Sequence, residues 1–473
     1  MRRIIVLPLL MLLATVSWSQ NDSAEMTDSV FSLQQAIDYA LEHNYDLKND
    51  ELEILKARKK VWETTAIGLP QVEAKFDANY MLTVPEALEQ FSSIGGLFQP
   101  VYQLLFEKGV ISQQEYEGIM AGISSETVST DEIRWGATLD VSVSQLIFNG
   151  SYIVGLQASK TYQQLSKYMK QQSVAELNAT VTNAYAGVLI AKESKKVLKN
   201  ILTTTNESIR EMEAMHEEGF IENTDVDQLR LTAATIETTL KNLELQAQIA
   251  KEMLKMSIGM DLESPLSLSD DLNSVMTEKN VTTAENFEFD VTQNINYQLL
   301  QTQEELKALE VKNAKAEFLP TVAAYYNHQE NFNDNSFVLQ PPDVVGVNVT
   351  IPIFSSWSRM SKVKQRKIEL EQTQNDKANA VNGLKIQHRN TLNQYLTALN
   401  TYKNNKSNME LAKRIYDKTR EKYKEGVSSS FDLSQSQSQY LQAQSDYFQS
   451  IMKLIEAKSS LDKLSHQYQP IDN

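Results

Sequence analysis

No cysteine occurs in the 473 residues, which excludes disulfides, thiolate metal sites and a lipid-bearing N-terminal cysteine. Basic residues are outnumbered: 45 Lys and Arg face 61 Asp and Glu, a balance that argues against nucleic acid or phospholipid headgroups as main partners. Beyond the N-terminus no segment approaches the ~18 apolar residues that a membrane-spanning helix needs. Proline is scarce and unevenly placed, absent from Val101 to Ser264 and again between Ile353 and Gln469. Catalytic patterns are missing too. The five histidines (His43, His216, His328, His388, His466) lack a ligand spacing such as HExxH, and there is no Gly-rich phosphate loop and no GxSxG. Neither an enzyme nor a bound cofactor or metal is expected. His216, beside Glu217 and Glu218, reads as part of a charged, solvated turn.

What is present begins with MRRIIVLPLLMLLATVSWSQ. Arg2 and Arg3, an apolar stretch from Ile4 to Val16 interrupted by Pro8, and the small-residue site Ser17-Trp18-Ser19 read as a cleaved secretory leader over residues 1–19. Its loss takes the two arginines with it and moves the formal charge from −16 to −18. An exported chain without a helical span is expected.

The proline-free reaches are rich in Ala, Leu, Glu, Lys and Gln, the strong helix formers. From Tyr152 to Met215, apolar residues recur at steps of three and four: Ala158, Tyr162, Leu165, Met169, Val174, Leu177, Val181. Tyr440, Tyr447, Leu454 and Leu461 stand seven apart, a coiled-coil-like seam. One helix over Tyr152 to Met215 would be roughly 95 Å long. That length fits either a soluble rod or a wall of very long helices.

Four segments switch to a period of two. QVEAKFDANYML sets Val72, Ala74, Phe76, Ala78, Tyr80 and Leu82 against Gln71, Glu73, Lys75, Asp77 and Asn79. GATLDVSVSQLIF sets Leu139, Val141 and Val143 against Asp140, Ser142 and Ser144. TVAAYYNH and VVGVNVTIPIF form a second pair, the latter with Val345, Val347, Val349, Ile351 and Ile353 on one side. Such strands suit a lipid-facing, water-lined β-barrel or half of a soluble sandwich, and periodicity alone does not choose. Single-chain barrels start at eight strands, so a barrel here would need several chains. Trp135, Phe148, Tyr152, Phe354 and Trp357 stand near the strand ends, where membrane-interface aromatics are expected.

The chain also repeats itself. Gly219 and Gly426 are 207 residues apart, as are Asp225 and Asp432, and Gln228 and Gln435. Phe148-Asn149-Gly150 answers Phe354-Ser355-Ser356, and AIGLP (66–70) answers AEFLP (316–320). The larger offset of the last pair marks an insertion over 84–130, with helix-like patterning and its own Gly and Pro breaks. It is expected to form a small helical cap. Each half reads helix, Leu-Pro, strand, loop, strand, long helix, Glu-Gly turn, helix. The expected boundaries are 20–261 for the first repeat, 262–286 for a linker, 287–464 for the second repeat and 465–473 for a tail. The turns fall near 216–224 and 424–431. The glycines suit a left-handed turn, and Asp225 and Asp432 stand where a carboxylate caps the returning helix.

In this ordered series the sequence resembles the TolC-like outer-membrane efflux proteins. The carriers are FSLQQAIDYALEHNYDLKNDELEILKARKKV (31–61), the two Leu-Pro junctions, MSIGMDLESPLSLSDDL (256–272) and both Glu-Gly turns. The resemblance implies a mixed fold of mainly long α-helices, forming a trimeric α-barrel. Four β-strands per protomer would contribute to a shared twelve-stranded membrane β-barrel. It implies a mid-tunnel belt near Gly259 to Asn286. It makes the turns periplasmic tips, where Gly219, Phe220, Ile221, Asp225, Gly426, Val427 and Ser428 meet an adaptor protein. Asp432 matches the first of two aspartates that narrow the family's tunnel entrance, while Gln435 stands at the second. The implied partners are two further copies of the chain, a periplasmic adaptor, an inner-membrane pump reached indirectly, and outer-membrane lipid. The implied function is the outer-membrane exit channel of a tripartite efflux or secretion machine. A free-standing porin and an exported coiled-coil adhesin or scaffold are the alternatives.

Overall fold

The structure, a computed structural model, describes residues 29–83, 94–124, 134–275, 289–332 and 341–465. The leader expected at 1–19, the flanks of the insertion (84–93 and 125–130), most of the later half of the linker and the tail from 466 lie outside them. The chain forms two compact units, and both halves of the sequence repeat contribute to each.

One unit comprises Met1–Tyr45, Glu176–Phe287 and Leu392–Lys463. Strand β1 (Ser29–Phe31) leads into α1 (Leu33–His43), whose start is closed by a reciprocal box. The Gln35 amide donates to Ser32 Oγ at 3.3 Å, and the Ser32 amide donates to Gln35 Oε1 at 2.9 Å. The bulk of this unit is four helical stretches that belong to α5 (Gly150–Glu217), α6 (Asn223–Ile258), α9 (Ser358–Lys424) and α10 (Ser430–Ser465). Their apolar stripes meet in a core of Ile201, Met212, Val226, Leu229, Ile236, Tyr416, Leu433 and Tyr440. The core is not uniformly apolar: Gln437, buried in it, donates to Thr205 Oγ1. A paired polar residue at a seam position favours one helix register over its neighbours.

The linker carries a feature absent from the sequence reading. β1 pairs in parallel with β4 (Leu266–Leu268), Ser29 opposite Leu266 and Phe31 opposite Leu268. Tyr185 of α5, fully buried, donates its hydroxyl to the Phe31 carbonyl at 2.9 Å. Asp270 Oδ2 accepts from the Leu33 amide at 2.8 Å. Helix α6 ends at Gly259 with φ 74°, and its backbone packs on that of His43 and Asn44. Asn44 then donates to the Ser257 carbonyl at 2.9 Å. A three-residue strand at residue 29 has no periodicity to read, which is why the pairing was not legible.

The other unit comprises Asp46–Ala175, Glu288–Thr391 and Leu464–Asn473. Its helices α2 (Tyr45–Ala66) and α8 (Ile295–Ala316) are both 22 residues long. The repeat is just as close elsewhere: α5 has 68 residues against 67 in α9, and α6 and α10 have 36 each. Each 22-residue helix runs through its Leu-Pro junction into a strand, β2 (Gln71–Tyr80) or β5 (Thr321–Asn331). With β3 (Trp135–Asn149) and β6 (Asp343–Thr350) these form one antiparallel sheet in the order β2-β3-β5-β6. A bulge between Leu146 and Phe148 shifts the register of β3 against β5.

The register sorts the two faces. One cross-strand row is Val72, Val143, Tyr326, Val345, and the adjacent row of the other face is Glu73, Ser142, Asn327, Val344. Polar exceptions on the apolar face satisfy one another. Asp343 Oδ1 accepts from Tyr326 Oη at 2.7 Å and from His328 Nδ1 at 2.8 Å. The fourth strand is shorter than the alternation predicts. It stops at Thr350, opposite Thr321, because β5 starts after Pro320 and Pro352 brings no amide hydrogen to extend the ladder. Ile351, Ile353 and Phe354 therefore lie beyond the sheet, all exposed.

The insertion between β2 and β3 contains a helical hairpin, α3 (Ile94–Glu107) and α4 (Gln113–Ser124). Between Leu268 and α8 the only helix among the described residues is the short α7 (Leu272–Val275), followed by a single 3-10 turn.

Candidate functional site

The duplicated Glu-Gly sequence makes the same turn twice. At the end of α5, Gly219 has φ 79°; its amide donates to the His216 carbonyl, and the Phe220 amide reaches back to Met215, both at 2.9 Å. At the end of α9, Gly426 has φ 72°; its amide donates to Tyr423 and the Val427 amide to Lys422, again at 2.9 Å. This paired pattern closes a helix around a left-handed residue and satisfies two otherwise free carbonyls. Glycine adopts that conformation at little cost, which explains its place at both turns.

The returning helices start differently. Before α10, Ser429 and Asp432 form a reciprocal cap. The Asp432 amide donates to Ser429 Oγ at 3.1 Å, and Asp432 Oδ2 accepts from the Ser429 amide at 3.2 Å and its hydroxyl at 2.7 Å. The Ser429 hydroxyl first, then its amide, holds the exposed Asp432 carboxyl below the usual aspartate range. Before α6 the capping position is Glu222, whose side chain makes no capping bond. Asp225 does not fill that role, contrary to the expectation from sequence. Its carboxylate accepts from the hydroxyl of Ser430 in the other turn. With Ser430 buried alongside, the neighbouring turn offers a partner that the sequence of one turn cannot reveal.

Each turn exposes an apolar residue among charged ones such as Glu217, Glu218 and Glu425. Phe220 and Val427 are 79% and 73% exposed, and Phe431 in the first turn of α10 is exposed too. Ile221 instead tucks against the four-helix core, while its carbonyl accepts from His216 Nδ1 at 3.0 Å. Ser428 lies within 3.4 Å of Asp432 Oδ2, and Gln435 is exposed one turn further along α10. Lys424 pairs with Glu211 at 2.7 Å and Arg230 with Glu213 at 2.6 Å, exposed pairs of modest worth.

The strand-end aromatics divide. Trp135 opens β3 opposite Tyr80, at the end of the sheet from which the insertion hangs. Phe148 lies at the other end, and Phe354 and Trp357 follow the end of β6, both exposed. Ser356 and Trp357 enter α9 with φ 48° and 65°, a left-handed pair without glycine that holds Trp357 outward. Tyr152, just past the end of β3, is half-buried. It turns inward, donates to the Thr65 carbonyl at 3.2 Å and fills the space over Gly68 that a larger residue would need.

A third copy of the turn was not recognised in the sequence. In EKGVISQQE, Gly109 has φ 66°, and the amides of Gly109 and Val110 donate to Phe106 and Leu105 at 3.0 and 2.9 Å. Ser112 and Glu115 then form the reciprocal cap, their amides donating at 2.9 and 3.3 Å. The signal was available: glycine, an apolar residue, a serine three positions on and an acid six positions on match Gly426, Val427, Ser429 and Asp432.

Among the described residues no group of three or more His, Asp or Glu side chains is placed to hold a metal ion. No described helix is long and apolar enough to cross a membrane.

Comparisons with known proteins bear on this geometry. A family model described as outer membrane efflux protein matches residues 118–260 and 293–465. A comparison with curated proteins finds no match. Among solved structures, the chain is similar to CusC, described in terms of transmembrane channel formation, with a TM-score of 0.71 at 12% identity over 96% of both chains. It is similar to the CmeC outer membrane channel of Campylobacter jejuni, with a TM-score of 0.66 at 17% identity over 95% of this chain and 90% of that one. It is also similar to the open state of the MtrE outer membrane channel of Neisseria gonorrhoeae, with a TM-score of 0.64 at 16% identity over 94% and 93%. The fold is that of these outer-membrane channels.

Proposed function

Because the chain belongs to the outer membrane efflux protein family, we propose that it is the outer-membrane exit channel of a tripartite export machine. Three copies would share one barrel, their tips opening toward a periplasmic adaptor and, through it, an inner-membrane pump. The observation that carries this reading is the sheet. Its two edge strands, β2 and β6, have no neighbour on their outer sides within the sheet order, and its apolar face is exposed, Val72 to 71% and Val345 to 81%. An unpaired strand edge in hydrocarbon costs several kcal/mol per free backbone group, so such a sheet requires closure. Pairing β2 of one copy with β6 of the next, three times over, gives twelve strands, apolar outside and polar within.

The tips supply the gate and the docking surface. Three Asp432 carboxylates around one axis form a ring of negative charge that favours cations, with Gln435 neutral beside it. Phe220 and Val427, exposed beside Gly219 and Gly426, give the adaptor an apolar contact. The pump provides the energy, and adaptor contact shifts the population of tip conformations toward open.

Single-channel conductance of the purified trimer in a planar bilayer tests this. A small, cation-selective current that grows in Asp432→Ala is expected. A large current indifferent to the substitution identifies an open porin, and a protein that stays soluble without detergent overturns the membrane reading.

A further inference from the structure

The hairpin α3–α4 has a face that nothing above explains. Helix α3 presents Phe98, Val101 and Leu104 at helical spacing, each 50–54% exposed. Tyr102, Leu105 and Phe106 are more covered, and Phe106 stacks on Tyr116 of α4 with ring centres 4.9 Å apart. The left-handed turn at Gly109 and the Ser112–Glu115 cap fix the hairpin, so its outer face is a built surface.

Resting on the trimeric channel reading, we propose that this face is covered by the same face of two other copies, so that three hairpins form a helical plug over the outer mouth of the barrel. Two observations choose this occupant. The hairpin is inserted after β2, an edge strand of the sheet and therefore one that adjoins the next copy. It hangs from the Tyr80–Trp135 end, opposite the end where β3 runs into α5. Charge gives the second argument. Around a threefold axis every side chain approaches its own copies, so any charge meets its like. No charged residue occurs from Ile94 to Phe106, in a chain that carries 106 of them. A membrane surface fits less well, because helices that lie on lipid are rich in Lys and Arg. This hairpin carries one base, Lys108, against Glu107, Glu115 and Glu117.

The absence of native cysteine makes the test clean. Leu104→Cys in intact outer membranes, treated with a short bis-maleimide, is expected to give covalent dimers of the chain. Glu117→Cys, on the exposed side of α4, is expected to label with an impermeant maleimide without forming them. Leu104→Asp added to Asp432→Ala is expected to raise single-channel conductance above that of Asp432→Ala alone. Full labelling of Leu104→Cys without dimers overturns the plug, as does a cross-link to a different protein, or protection without any cross-link. The trimer is scored in the same samples by its resistance to detergent on a gel. Trimers without the hairpin cross-link overturn the plug alone, and absence of trimers overturns the channel reading with it.

Discussion

The hydroxyl of Ser430, in the first turn of α10, donates to the carboxylate of Asp225, in the first turn of α6. The two copies of the turn are thereby tied to each other within one chain, each contributing what the other lacks. A hydrogen bond to a charged group is worth about 1.5–3 kcal/mol. Ser430→Ala is expected to raise channel conductance in a planar bilayer, and Asp225→Ala to raise it equally. The double substitution adds little beyond either single one, because both remove the same bond. Additive effects would show that the two residues act separately.

Asp432 sets an acid limit. Its carboxyl is held below the ordinary value of 3.8 in the folded tip by the Ser429 hydroxyl and then the Ser429 amide. A depressed carboxyl gives its stabilisation above the unfolded value and loses it as pH falls through the folded one. The cap, and with it the proposed charge ring, is therefore expected to persist unchanged from neutral pH down to about 4, and to weaken only in more acidic solution. Cation selectivity of single channels across that range measures it, and Asp432→Asn removes the dependence.

The opposite limb belongs to Tyr185. Burial, the largest cause, pushes its hydroxyl from 10.0 up to about 12. The bond to Phe31 is thus complete below pH 10 and is lost as pH rises through about 12. Tyr185→Phe is expected to loosen β1 from β4 at every pH, seen as faster proteolysis near Ser29. It is also expected to abolish the alkaline step of the wild type.

The glycines should not be equivalent. At Gly219 and Gly426 an added Cβ meets nothing within 4 Å, so alanine there carries only the left-handed backbone cost of about 1–2 kcal/mol. At Gly259 the same atom would stand 2.6 Å from the His43 carbonyl carbon and 2.9 Å from the Asn44 nitrogen, backbone atoms that cannot yield. Gly259→Ala is expected to lower thermal stability far more than Gly426→Ala.

Docking at the tips has its own test. Gly426→Glu is expected to abolish export while trimers still assemble, and Gly426→Asn, which tolerates the left-handed turn, to keep export. Release of a cargo that depends on the unsubstituted chain and detergent-resistant trimers on gels report the two properties. Normal export with glutamate at 426 sinks the docking role.

The long helices, the four strands and both Glu-Gly turns were legible because each rests on a local pattern: heptads, alternation, a glycine at fixed distance from an acid. What was not legible depends on partners far along the chain. Asp225 has an ordinary capping sequence around it, and only the proximity of Ser430 redirects its carboxylate. Nothing local to Tyr152 in the sequence shows that its ring meets Thr65 and Gly68. β1 is three residues long and takes its meaning from Leu266, more than two hundred positions away.

The matched lengths of the two halves constrain how such a chain can change. One residue inserted into α5 alone would advance Asp225 by about 1.5 Å and swing it by about 100°. Ser430 would stay where α9 leaves it. Heritable length variation in these helices should therefore arrive as whole seven-residue blocks in both halves at once, a doubled ruler in which neither scale can be recut alone.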